Sequence, residues 1–371
     1  MAERGLVVSV APLRLLLAPR LAAKSIRNFF ALLAGQDTSY TSIHAEPDLM
    51  NVRLSPVSET PAALDPSLTT ALLRAQQQVN AVVLGKSPRV RLAFACFLAG
   101  GHLLIEDLPG VGKTTLAHAL AATLDLSFQR IQFTSDLLPS DIIGVSVYER
   151  ERGEFKFHPG PLFAQLVLAD EINRATPKTQ SALLEAMAEQ QVTIDGESRL
   201  LPAPFFVVAT QNPLDLAGTY PLPDSQLDRF MLRISLDYPD RDAERALLTA
   251  TDRREVIAHL QPCLSIIQIQ QIRSAVSGVL ASPALIDYVQ ALLAASRVDP
   301  EIRVGLSPRA GLALLNAARA NALLDGRGYC LPEDVQTVFV AAAAHRIIPG
   351  GANHRARDQL AQKLVDSTPV R

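Results

Sequence analysis

An α/β fold, a parallel doubly wound sheet followed by an all-helical unit, is what this 371-residue sequence predicts. Three observations carry that expectation. Between residues 66 and 237 short apolar runs alternate with stretches of helical periodicity, the order that lays parallel strands side by side under crossover helices. Two further pairs of runs in the same region carry hairpin signals. From 238 to 371 the pattern is wholly helical, punctuated by Pro262, Pro283, Pro300, Pro308 and Pro332.

The elements follow in order. Apolar residues recur at helical spacing over Leu68–Asn80, and a second helix runs over Pro88–Leu98. His102–Glu106 is a short apolar run closed by Pro109-Gly110, which reads as a buried strand, and Leu116–Leu124 reads as the helix after it. Phe128–Phe133, Gln165–Ala169 and Phe205–Thr210 are further buried strands, with the helix Lys178–Glu189 between the last two and another strand at Met231–Leu236. Val145–Tyr148 and Glu154–Phe157 flank a polar turn closed by Gly153. Gln191–Ile194 alternates into Asp195-Gly196, a pair that favours a tight hairpin. The Ala-rich stretches 284–295, 308–324 and 332–345 make a compact helical domain.

Composition narrows the function. Apolar residues make up 48% and Trp is absent, which suits a helix-rich α/β chain. The 35 basic and 37 acidic side chains nearly cancel, so no global basic field draws in nucleic acid. Cys96, Cys263 and Cys330 are scattered and odd in number, forming neither a disulfide framework nor a metal cluster, and this fits a reducing cytoplasm. No apolar stretch approaches the ~18 residues of a membrane span. Residues 1–65 stand apart as an N-terminal extension with five basic residues and no acid between Arg4 and Arg27. This extension reads as a disordered tail, or as an over-long start with the initiator at Met50. The alternative is an amphipathic targeting or membrane-surface segment around Leu13–Leu21.

The chemistry begins at Asp107-Leu-Pro-Gly-Val-Gly-Lys-Thr114, which follows a strand and opens a helix. Unpaired N–H groups and the dipole at a helix start favour an anion there. Gly110 and Gly112 let the backbone approach phosphate. Lys113 would reach the β- and γ-phosphates of a bound nucleotide, and Thr114 would offer its hydroxyl to Mg²⁺. Pro109, Val111 and Thr115 complete the expected nucleotide-binding set. The first Gly of the generic pattern is replaced by Asp107, whose carboxylate would repel a triphosphate, so its side chain is expected to turn away.

Leu166–Ala169 runs into Asp170-Glu171. Ligands of a parallel sheet gather beyond the carboxyl ends of its strands, so this pair should emerge beside the phosphate loop. Asp170 would hold Mg²⁺ and Glu171 would act as general base on the attacking water. Two acids after a strand otherwise read as a helix cap or solvated turn; the phosphate loop reverses that preference. Asn212, at the end of the neighbouring strand, would position that water or sense the γ-phosphate, although Asn-Pro is also a common turn pair. Arg229 reads equally as an ion-pair partner of Asp228 or as an arginine finger for a neighbouring subunit. Arg309 sits in the first turn of a helix capped by Ser307, where a cation opposes the macrodipole unless an anion lies nearby.

With these residues in hand, the sequence resembles the MoxR family of AAA+ ATPases from about Leu68 to Ile348. The resemblance is carried by Leu104–Thr114, Leu168–Ala175, Gln180–Met187, Gln191–Gly196, Ala209–Pro213, Leu222–Phe230 and Leu306–Ala310. It implies an AAA+ core over 66–237 and a helical lid over 238–371. Lys113 and Thr114 take Walker A roles, and Asp170 and Glu171 take Walker B roles. Asn212 matches sensor 1, Arg309 sensor 2 and Arg229 the finger acting in trans. The hairpins around 145–157 and 191–200 match the helix-2 insert and the hairpin before sensor 1. The resemblance further implies a homo-oligomeric, hexameric ring and a von Willebrand factor A domain partner. It also implies a chaperone-like role in maturing enzyme complexes, sometimes by aiding metal insertion. A nucleic-acid remodeller, a small-molecule kinase and a nucleotide-gated scaffold are the rival readings.

Overall fold

The computed structural model describes residues 6–10, 13–17, 64–214, 218–249, 253–350 and 356–370. At the N-terminus β1 (Leu6–Val10) pairs antiparallel with β2 (Leu13–Leu17), in a unit separate from residues 58–371. The remainder of the expected 13–21 segment and Met50 lie outside the described residues.

The α/β region opens with two helices. Asp65 caps the first, Pro66–Val82, by accepting from Ser67 N at 2.7 Å, and Pro66 supplies a preset φ at its start. Ser87–Leu98 follows. Then come β3 (Leu103–Glu106), the helix Lys113–Thr123 and β4 (Phe128–Gln132). A hairpin of β5 (Gly144–Glu149) and β6 (Glu154–Pro159) leads to β7 (Leu166–Asp170) and the helix Pro177–Glu189. A second hairpin, β8 (Gln191–Ile194) and β9 (Glu197–Leu200), precedes β10 (Phe206–Gln211) and β11 (Leu232–Ile234).

Five of these strands form one parallel sheet in the order β11-β3-β10-β7-β4. The central strands β7 and β10 are almost wholly buried, as expected, but β4, expected to be buried like them, lies at the sheet edge and exposes Gln129, Arg130 and Gln132. Alternation along each strand sends its residues to two different cores. Leu103, Ile105, Leu166, Leu168, Phe206 and Val208 enter one cluster; Leu104, Val167, Ala169, Val207 and Ala209 enter the other.

The C-terminal region contributes helices Ile266–Gly278, Pro283–Val298, Pro308–Leu324, Pro332–Ala343 and Ala356–Ser367. Ser265, Ser282 and Ser307 cap the first three by accepting from the amide three residues on. The region is not wholly helical, which corrects the sequence expectation. β12 (Ile302–Val304) and β13 (Ile348–Pro349) pair antiparallel. Pro300 and Gly305 leave too few residues between them for a helix, and the β-branched Ile302 and Val304 suit an extended backbone. The cluster below the sheet continues without a break into this region, taking in Leu314, Val335 and Phe339 alongside Phe97 and Leu103.

Candidate nucleotide-binding site

The loop after β3 is shaped by two glycines in the left-handed region, Gly110 at φ +85° and Gly112 at φ +98°. Nothing lies within 4 Å of the position a Cβ would take on either, so both backbones face open space. Gly112 is the N-cap of Lys113–Thr123, and no side chain bonds the free N–H groups of that helix start. An anion is the partner such a helix end lacks.

Asp107 turns away, as expected. Its Oδ2 accepts from Leu236 N at 2.5 Å and Asp237 N at 2.7 Å, and its Oδ1 accepts from Leu108 N at 2.8 Å. The carboxylate therefore fastens the loop to the chain beyond β11. Lys113 is buried, with Nζ donating to Asp107 O at 2.8 Å. Burial pulls its ammonium below the ordinary lysine pKa, and the negative charges of Asp107, Asp170 and Glu171 oppose that shift.

Strand register brings the acids to the loop. Gln132 on β4 lies opposite Asp170 at the end of β7, and β10 flanks β7 on its other side. The hydroxyl of Thr210, fully buried, donates to Asp170 Oδ1 at 2.6 Å and accepts from Glu171 N at 2.9 Å. Arg130 Nη2 lies 2.6 Å from Asp170 Oδ2. Glu171 sits at φ +56°, uncommon for a residue with a Cβ, and its Oε2 accepts from Gln132 Nε2 at 2.8 Å and pairs with Arg174 at 2.9 Å.

These groups enclose a cavity of ≈ 340 Å³. Its lining is Pro109, Gly110, Gly112, Lys113, Thr114, Thr115, Arg130, Gln132, Asp170, Glu171 and Asn212. Among the described residues no group of three or more His, Cys, Asp or Glu could cage a metal. One hydroxyl and one carboxylate beside a phosphate-shaped loop suit Mg²⁺, which takes few protein ligands and shares its shell with substrate phosphates and water.

Residues 102–232 match the family described as "ATPase family associated with various cellular activities (AAA)", and 294–367 match the AAA lid domain. Chaperone MoxR1 of Mycobacterium tuberculosis is 37% identical over 311 residues, which span 79% of this chain and 81% of that protein. The chain belongs to the MoxR family of AAA+ ATPases. The Bacillus subtilis protein YeaC is 43% identical over 286 residues, 77% of this chain and 89% of its own length. The crystal structure of a candidate ATPase from Cytophaga hutchinsonii superimposes with TM-score 0.73 at 36% identity, covering 82% of this chain and 96% of that one.

Against this MoxR frame the remaining expected residues divide. Val111 packs its side chain on the hydrophobic cluster and does not line the cavity. Arg229 is exposed and donates to Leu184 O at 3.0 Å; the carboxylate of Asp228 is taken by Arg346 at 2.7 Å. Arg309 does not reach this chain's own cavity. Its Nε lies 3.8 Å from Asp228 Oδ2 with the side chain 66% exposed. The lid packs beneath the sheet through the shared apolar cluster, and that carries Arg309 to the Asp228–Arg229 segment. Sequence reasoning missed Arg130, Gln132 and Thr210. The signal for the first two was available, since period-two alternation puts 130 and 132 on one face of an edge strand.

Proposed function

We propose that this chain binds ATP with Mg²⁺ in the cavity and hydrolyses it within a homo-oligomeric, hexameric ring. The reading is supported above all by the convergence of Lys113, Thr114, Asp170, Glu171 and Asn212 on one cavity at the sheet's carboxyl edge. Gly110, Gly112 and Lys113 hold the phosphates, while Thr114 and Asp170 hold the metal. Bound Mg²⁺ supplies positive charge against the oxygens of the transferring phosphoryl group. Glu171 takes the proton of the attacking water once it is released from Gln132 and Arg174, and Asn212 orients that water. Arg229 enters the neighbouring subunit's site as the finger. The position of Arg309 beside Asp228 supports a role alongside Arg229, in place of the sensor 2 role that the resemblance implies.

On this reading the cycle drives chaperone-like remodelling, maturation or activation of a partner complex, with a von Willebrand factor A domain protein as the adaptor. The name of the mycobacterial relative, a chaperone, supports the first part. Cytoplasmic residence is proposed with it; among the described residues no helix is long and apolar enough to cross a membrane. The test is the Glu171→Gln protein. It is expected to bind magnesium–ATP, release no phosphate, and retain ring and partner in a pull-down with ATP. Phosphate release at the wild-type rate would refute the assignment of the base.

A further inference from the structure

One guanidinium buried between the lid and the segment that carries Arg229 has no part in the chemistry above. Arg346 stands in the single turn Ala344–Arg346 after the helix Pro332–Ala343, with its side chain 5% exposed. A guanidinium has five N–H donors, and all five are used. Nε donates to Asp228 Oδ1 at 2.7 Å. Nη2 donates to Asp228 O at 3.3 Å and Phe230 O at 2.8 Å. Nη1 donates to Met231 O at 3.0 Å and to Ala342 O. All but the last of these acceptors lie within residues 228–231. The adjacent His345 adds a bond from Nε2 to Phe230 O at 3.0 Å. Burial holds that imidazole well below its ordinary pKa, so the ring is neutral and can donate there.

The arrangement is expensive for a structural contact. Burial pulls the Arg346 guanidinium below the ordinary arginine pKa, with Asp228 opposing, and an apolar side chain would fill such a space at lower cost. What the planar fork adds is geometry: it fixes three carbonyls within residues 228–231 and the Asp228 carboxylate together. Arg229 sits between two residues held in this way and is itself exposed. Neither Arg346 nor any other residue after Asn212 lines the chain's own cavity.

We infer that Arg346 is a positioning residue for Arg229, so that the lid of each subunit sets the reach of the arginine serving its neighbour's nucleotide. The inference rests on the reading of Arg229 as acting in trans, and the test separates the two. Arg346→Ala is expected to lower kcat by about 10²-fold, the scale of an ångström-sized misplacement, with the dissociation constant for magnesium–ATP unchanged. The deciding measurement is complementation. A Glu171→Gln subunit lacks the base but keeps Arg229, whereas an Arg346→Ala subunit keeps its pocket and loses the aim of Arg229. In mixed rings about a quarter of the wild-type rate should return, because about half the pockets are intact and about half of those meet an intact neighbour.

Arg229→Ala mixed with Glu171→Gln should recover equally. If Arg229→Ala complements and Arg346→Ala does not, the lid has no hold on the finger and the inference is overturned. If neither complements, the trans reading itself falls and the inference with it. Should a thermal melt show Arg346→Ala unfolded, Arg346→Lys is read instead, since it keeps the charge beside Asp228 with three donors in place of five; the same outcomes decide.

Discussion

The hydroxyl of Thr210 donates to the Asp170 carboxylate at 2.6 Å while accepting the Glu171 amide at 2.9 Å, so one buried side chain orients both acids of the site. Thr210→Val keeps the shape and removes both bonds. Groups that orient a metal ligand typically contribute 10- to 100-fold, and a fall in kcat of about that size is expected in a steady-state phosphate-release assay. Thermal stability should fall as well, by about 1–3 kcal/mol for the orphaned amide and carboxylate oxygen. A kcat equal to wild type would show that the hydroxyl only fills space.

Asp107 gives the opposite expectation. Its carboxylate serves backbone amides of Leu236 and Asp237, so Asp107→Ala strands two donors at the end of β11. A loss of about 1–3 kcal/mol in chemical denaturation is expected, with little change in magnesium–ATP affinity. Tighter nucleotide binding by an order of magnitude, with stability intact, would mean that the charge faces the phosphates after all.

His102 sets a pH limit on the fold. Its Nδ1 accepts from Val207 N at 3.0 Å, and its Nε2 lies 3.2 Å from Met187 O. Only the neutral ring meets both, because a proton on Nδ1 would face another N–H. Burial lowers its pKa from 6.5 to about 4, against the Met187 bond, which favours the charged form. The unfolded chain therefore binds the proton more readily, and the stability from the neutral ring is complete above pH 6.5 and lost as pH falls toward 4. About 2 kcal/mol should be lost by pH 5. Denaturation at pH 7 and pH 5, on wild type and His102→Gln, checks this: the variant should lack that increment.

Arg130 takes Asp170 Oδ2, the oxygen that Thr210 leaves free, from a side chain 49% exposed. Arg130→Ala removes a competitor, so the magnesium concentration for half-maximal ATP binding should fall, by less than about five-fold for so exposed a pair. Calorimetry across a magnesium series measures the shift. A rise would instead make Arg130 a phosphate ligand.

Much of this molecule was legible in its sequence because local patterning and local chemistry coincide. The alternation of the runs His102–Glu106, Gln165–Ala169 and Phe205–Thr210 with helices marked a parallel sheet, and Gly-Lys-Thr after a strand pointed to an anion-binding loop. What stayed hidden depends on pairing between distant segments. Thr210 meets Asp170 only because β10 lies beside β7, a neighbour relation that no periodicity records. Arg130 and Gln132 fall in a run read as a buried strand, and only the pairing of β4 with β7 at the sheet edge turns them toward the site. The displacement of Arg309 toward Asp228 follows from where the lid packs, which the capping signal of Ser307-Pro308 could not reveal.

The unbroken apolar interior joining sheet and lid has a mechanical corollary. Prising the two apart would wet leucines and phenylalanines at roughly 25 cal/mol per Å², so a hinge within the subunit is disfavoured. Each chain then behaves as one stiff lever, and in the proposed ring the strokes of the proposed nucleotide cycle would fall at the seams between copies.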